Sequence, residues 1–118
     1  MIKTRKHVDE SRLFLRFYVR GFAYYDGLAA MGKMHEGDEL DMFYEPKNAY
    51  DHNAISLYAG NLKLGYVPRE SNYDLALFTR LGHGDLFECK VLAVRPENAA
   101  SSMLEVAIYV KERFACAF

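Results

Sequence analysis

The 118-residue sequence has only two cysteines, Cys89 and Cys116, and they form no C-x-x-C pattern. Both are read as buried or free thiols of a chain in a reducing cytoplasm. No run of eighteen apolar residues occurs, so no membrane span is expected. The opening MIKTRKHVDES is polar and basic and lacks the apolar stretch of a signal peptide. Residues 1–11 are read as a flexible N-terminal tail and 12–118 as a single domain. An excess of one charge is also lacking. Fifteen Lys and Arg stand against sixteen Asp and Glu, for a net charge of -1. That balance excludes a generally basic nucleic-acid binder but leaves room for a local basic patch. His7, His35, His52 and His83 are scattered, with no paired spacing and no thiolate partner. No metal and no cofactor are expected.

What is present is ordinary globular material: 51% hydrophobic and 26% charged residues. A chain of this size buries roughly two thirds of its unfolded surface and needs no covalent staple. Arg12 to Arg20, RLFLRFYVR, alternates. Leu13, Leu15, Phe17 and Val19 are expected on one face, and Arg12, Phe14, Arg16, Tyr18 and Arg20 on the other. Gly21 to Met34 reads as a loop with at most one helical turn. Glu39 to Tyr44 is a second strand, stopped by Pro46. Asn53 to Tyr58 and Leu62 to Pro68 form a hairpin around Gly60-Asn61. Ser71 with Asp74 reads as a capping box for a helix from Asn72 to Leu81, with Leu75, Phe78 and Leu81 as its apolar stripe and Gly82 as its stop. DLFECKVLAVR and MLEVAIYVK are the last two strands. Six short strands and one good helix predict a mostly β fold: a small antiparallel barrel of about six strands with one or two short helices, one of them plugging an end.

Two near-motifs carry no chemistry. Gly27 to Met34, GLAAMGKM, has the G-x-x-x-x-G-K skeleton of a P-loop, but methionine stands where a hydroxyl must hold Mg²⁺. Gly37 and Asp38 also end any helix before it can face a phosphate. Asp51-His52 is a potential catalytic pair, yet neighbours in sequence point apart and no nucleophile motif accompanies them. The chain is therefore not read as an enzyme.

The informative stretch is Tyr44 to Leu57, YEPKNAYDHNAISL, which crowds polar side chains between two apolar runs. Three segments in fixed order, GFAYYDG at Gly21 to Gly27, EPKNAYDHNAI at Glu45 to Ile55 and LGYVPRE at Leu64 to Glu70, together resemble the HIRAN domain family. The likeness covers roughly Phe14 to Lys111, and the chain resembles the family's free-standing, small bacterial type of member. It implies an OB-like barrel, a role beside DNA-processing and DNA-repair proteins such as fork remodellers, and recognition of a single-stranded DNA 3′ end. Carried over by position, Tyr24 and Tyr25 match the aromatics that pack on terminal bases. Asp51 matches the carboxylate that accepts from the 3′ hydroxyl. Asn48, Tyr50 and Asn53 match the surrounding loop, and Arg69 a basic residue near a phosphate. Two positions depart from the family pattern: Ala23 replaces an arginine, and Tyr66 replaces a histidine.

The chemistry implied is coherent. A carboxylate repels phosphate but accepts strongly from a hydroxyl, so such a site would read the end of a strand and not its sequence. Structural roles remain open for the same residues. Asn48, Asp51 and Asn53 are also the residue types that organise loops. Tyr24 and Tyr25 also suit lids on a core. The Arg12, Arg16 and Arg20 face is either a single-strand platform or a solvated sheet face neutralised by Glu39 and Asp41. Two functions follow. The first is a non-catalytic module for a single-stranded DNA 3′ hydroxyl end. The second is a protein-interaction domain on the same barrel with DNA binding lost, for which the apolar FACAF end offers a contact surface.

Overall fold

Alternating apolar residues and glycine turns build the strands, and three irregularities decide which way their side chains face. The computed structural model describes residues 12–111. The tail 1–11 with His7, and the segment 112–118 with Cys116 and FACAF, lie outside the described residues. The elements are β1 (Leu13–Tyr18), α1 (Gly27–Ala30), β2 (Glu39–Glu45), β3 (Ala54–Ala59), β4 (Leu62–Tyr66), α2 (Tyr73–Arg80), β5 (Phe87–Val94) and β6 (Leu104–Val110). Every strand pairing is antiparallel, in the order β1-β6-β5-β2-β3-β4. The architecture is mostly β and OB-like, as the strand pattern and the family resemblance both implied.

The sheet curls because β2 changes partner along its length. Glu39 and Leu40 pair with β5, whereas Asp41 to Glu45 pair with β3. Curling brings the two edge strands together at one point. Arg20, just past β1, donates its N–H to the Tyr66 carbonyl at 2.9 Å and accepts from the Tyr66 N–H at 2.8 Å. Gly65 makes that contact possible. A Cβ there would stand 2.1 Å from the Arg20 carbonyl oxygen, and its φ of +141° is open mainly to glycine.

Phe17, Val19, Leu57, Leu64, Leu75, Val106 and Ile108 are buried in one core cluster. Each such side chain contributes roughly 1.5–3 kcal/mol on burial. Leu75 and Ala76 anchor α2 in it, and Phe78 packs edge-on against Phe14 and Phe87.

The structure departs from the sequence pattern at four points. Phe14 does not share the arginine face. Leu13 pairs with Tyr109 and Leu15 with Ile108, so Phe14 is the extra residue of a β-bulge and turns inward, 4.8 Å from the Phe87 ring. Glu39 and Asp41 do not neutralise the arginines, because β1 pairs with β6 and not β2. Arg12 meets Glu88, Arg16 meets Glu105, and Arg20 meets Glu70. Ser71 does not cap α2. It closes a 3-10 turn, Arg69–Ser71, and Asn72 takes the N-cap position without a side-chain capping bond. Leu81 ends the helix exposed and takes no part in its buried stripe.

Candidate functional site

The first part of the 21–34 segment is packed tightly on itself. Gly27 donates its N–H to the Phe22 carbonyl, Ala30 donates to Asp26, and a Cβ at Gly27 would collide with Phe22. What this segment positions is a pair of tyrosines. The Asp26 N–H donates to the Lys63 carbonyl at 2.7 Å, and the Asp26 carboxylate accepts from the Lys63 N–H at 3.1 Å. The Tyr24-Tyr25 turn is thereby fastened to β4.

Where β1 and β4 meet, a concavity of about 410 Å³ opens, lined by Arg20, Tyr25, Asn48, Tyr50, Asp51, Ala54, Tyr66, Val67 and Arg69. Six residues singled out in the sequence come together here from three separate segments: Tyr25, Asn48, Tyr50, Asp51, Tyr66 and Arg69. Tyr24 and Asn53 do not line it. Tyr24 is 82% exposed and stands edge-on to Tyr25 with ring centres 4.9 Å apart. Asn53 points toward α2, where its Oδ1 accepts from Arg80 Nη1 at 3.2 Å.

The polar side chains of the 45–53 connection are largely engaged with their own chain. Asn48 Oδ1 accepts from the N–H groups of Tyr50 and Asp51 at 2.8 and 3.1 Å. Its Nδ2 donates to Glu45 Oε1 at 3.0 Å. Asp51 Oδ1 accepts from the Asn53 N–H at 2.9 Å, and Oδ2 accepts from Asn72 Nδ2 at 2.8 Å. Asn72 is 2% exposed, so the helix start grips the loop from inside the protein. An ionised carboxylate offers about four acceptor positions, so two bonds leave Asp51 able to take another donor.

Two residues outside the lining, Lys63 and Glu45, hold its tyrosine wall. The Lys63 ammonium sits 4.3 Å from the Tyr25 ring centre and 4.5 Å from that of Tyr66. It donates to the Tyr66 hydroxyl at 2.8 Å, which in turn donates to Glu45 Oε1 at 2.9 Å. Burial alone would lower the Lys63 pKa, but the Tyr66 hydrogen bond leads the opposing effects and the net shift is upward. Burial would likewise raise the Glu45 carboxyl. Hydrogen bonds from Asn48, Ser56 and Tyr66 prevail and hold it below the usual range. For Tyr66, burial raises the phenol, and the Glu45 contact adds to it against the opposing Lys63 bond. Lys63 is therefore cationic, Glu45 anionic and the Tyr66 phenol protonated near neutrality, which fixes both rings.

Sequence reasoning passed over Lys63, and the reason lies in β4. Gly65 pairs with Leu57 and Lys63 with Tyr58, so Leu64 is an extra residue in the ladder. A regular strand would put Lys63 and Tyr66 on opposite faces, and the irregularity brings them to one. Glu45 and Asn72 had no local signal either, since their roles arise only from partners distant in sequence.

A second cavity, of about 300 Å³, lies between β2, α2 and β5. Glu39, Asp41, Asp85 and Glu88 line it against a single Lys111. That excess of carboxylates repels anions, so the seam concavity is the better candidate for any phosphate-bearing ligand. No group of three or more metal-ligating side chains occurs among the described residues. Burial, with Glu39 nearby, pushes the Cys89 thiol up to about 12, leaving it protonated and unreactive at neutral pH. No described helix is long and apolar enough to cross a membrane.

The profile of the HIRAN domain matches residues 13–111. Two solved structures are similar to the chain. One is a protein from Lactobacillus plantarum, 24% identical, with a TM-score of 0.68 over 84% of this chain and 93% of that one. The other is the HIRAN domain of human HLTF, 25% identical, with a TM-score of 0.57 over 86% of this chain and 80% of that one. No curated protein matches the chain.

Proposed function

This chain belongs to the HIRAN domain family, and we propose that it is a non-catalytic module that binds single-stranded DNA at its 3′ hydroxyl end. One observation carries the reading. Two arginines, two fixed tyrosine rings and one carboxylate with spare acceptor capacity share a single concavity, although the chain delivers them from four places. Each suits one part of a strand end. Tyr25 gives a flat apolar surface for a base, with the exposed rings of Tyr24 and Tyr50 beside it. Asp51 accepts from a terminal hydroxyl. Arg69, which forms no ion pair with any described residue, meets a backbone phosphate, and Arg20 lies across the same opening. Tyr66 acts chiefly as a wall, because its hydroxyl is already engaged with Lys63 and Glu45. The chain so bound would serve a DNA-processing partner that acts at strand ends.

A second reading, a protein-interaction domain that has lost DNA binding, draws on one observation. Both Asp51 oxygens and three atom contacts of Asn48 are used within the chain, as in a purely structural loop. The two readings separate in one experiment. Wild-type protein is titrated against matched labelled ten-nucleotide strands ending in a 3′ hydroxyl or a 3′ phosphate. The DNA-end reading expects tighter binding of the hydroxyl end, since a terminal phosphate would face the Asp51 carboxylate. Equal binding of both ends removes Asp51 from the recognition role. Absence of binding to either favours the protein-interaction reading.

A further inference from the structure

Arg20 belongs by sequence to an alternating arginine series, but it does not share the situation of the other two. Arg12 and Arg16 are bound to Glu88 and Glu105 along the sheet. Arg20 lies two residues past the end of β1, its backbone clamped to Tyr66, and its side chain lines the seam concavity. Its Nη2 donates to Glu70 Oε2 at 2.5 Å, with the side chains 58% and 63% exposed. Glu70 rides on the same 3-10 turn, Arg69–Ser71, that brings Arg69 to the concavity. A single short turn thus presents one cation to the opening and one anion to the cation across it.

We propose that Glu70 is a built-in competitor for Arg20, which it occupies when the site is empty and yields to a backbone phosphate of the bound strand. The proposal rests on the nucleic-acid reading above and adds to it a specificity-determining pair. An exposed ion pair is weak, because water screens both groups and two long side chains must be held still. A phosphate oxygen can therefore displace it. The guanidinium has five N–H donors in a planar fork, and phosphate offers the matching bidentate acceptor. Once a phosphate is seated, Glu70 stands close to it as a like charge. The carboxylate thus restrains affinity. A strand that places a phosphate opposite Arg20 gains that contact at the cost of the Glu70 pair. Arg69 has no such competitor among the described residues, so the two arginines contribute differently although both face one opening.

The test is an anisotropy titration of a labelled ten-nucleotide single strand with a free 3′ hydroxyl. It uses wild type, Glu70→Gln, Arg20→Gln, Arg20→Lys and the double variant Arg20→Gln/Glu70→Gln. Both side chains are exposed, and thermal melting of each protein verifies that it is folded. Glu70→Gln is expected to bind about three- to tenfold tighter. Arg20→Gln is expected to bind about tenfold weaker and to reduce the salt slope by about 0.7. Arg20→Lys keeps the charge but loses the fork, so it should fall between wild type and Arg20→Gln. The double variant should match Arg20→Gln alone. The proposal is overturned if wild type binds and Glu70→Gln binds no tighter. It is equally overturned if the gain from Glu70→Gln persists in full without Arg20, which would make Glu70 a general surface charge. If neither wild type nor Glu70→Gln binds the strand, the nucleic-acid reading itself fails and this proposal falls with it.

Discussion

Arg20 and Tyr66 exchange both of their backbone hydrogen bonds, at 2.9 and 2.8 Å, and both line the same concavity. The contact that brings the edges of the curled sheet together is therefore also the floor plan of the site. Stability at this point and geometry of the opening are therefore coupled through one backbone contact.

Gly65→Ala tests the seam itself. The new methyl would lie 2.1 Å from the Arg20 carbonyl, against backbone that cannot swing aside, at a φ of +141°. The expected loss is about 3 kcal/mol or more of unfolding free energy, or failure to fold. Urea denaturation reads it directly. A variant as stable as wild type would mean that the edges need not meet there.

Asp51→Asn removes the charge and keeps the shape. Asn72 is able to turn its amide over and offer its oxygen to the new donor, so the loop bond between these positions survives. Stability should change by less than about 1 kcal/mol. Affinity for a 3′ hydroxyl end should fall by about 1.5–3 kcal/mol, roughly ten- to a hundredfold, and the preference over a 3′ phosphate end should shrink. Titration of the matched strands combined with melting curves distinguishes a lost contact from a lost loop.

Tyr24 and Tyr25 should behave differently despite being neighbours. Tyr24 is 82% exposed, so Tyr24→Ala should cost binding about 1–3 kcal/mol for either end and leave stability near wild type. Tyr25 contacts Tyr24, Tyr66 and Lys63, so Tyr25→Ala should weaken binding and also lower stability by about 1–2 kcal/mol. Equal melting losses for the two would contradict this division.

Salt dependence should be shallow. Arg20 and Arg69 are the cations lining the opening. Two phosphate contacts on a single strand give a slope of log affinity against log salt of about -1.4. A slope several times steeper, measured across a salt series, would require a basic track elsewhere on the surface.

The acid limb of stability should depend on Glu105. Burial acts to raise this carboxyl, but hydrogen bonds from Arg16 at 2.8 Å and Arg95 at 3.0 Å prevail and hold it below the usual range. A carboxyl lowered by folding contributes fully above its unfolded value and loses that contribution as pH falls through its folded value. Glu45 is lowered as well and shares the limb. Glu105→Gln should therefore cost about 1–2 kcal/mol at neutral pH and progressively less as pH falls below the ordinary carboxylate range and the lowered wild-type carboxyl begins to protonate. Urea midpoints for both proteins across that range read the difference. A penalty independent of pH would assign the loss to packing.

The strands, the hairpin at Gly60 and the helix after Pro68 are legible in the pattern of residues along the chain. Those signals are local: alternation, positive-φ glycines and an apolar stripe each act within a few residues. The same pattern marks the site-forming stretches, because the GFAYYDG, EPKNAYDHNAI and LGYVPRE segments are long and distinctive. How these parts face one another depends on pairing between strands distant in sequence. The extra residue at Phe14 turned an apparent surface aromatic into the core, and the one at Leu64 put Lys63 and Tyr66 on one side of β4. Neither shift is visible in a period-two pattern, because an inserted residue reverses every side chain beyond it and is fixed by the partner strand. Partnership across the sheet likewise decided the charges. Arg16 found Glu105, Arg20 found Glu70 and Asp51 found Asn72, each at a separation no spacing rule could supply. Pairing within a curled sheet is a long-range choice, made when the edges meet at Arg20 and Tyr66 and Gly65 leaves room for them.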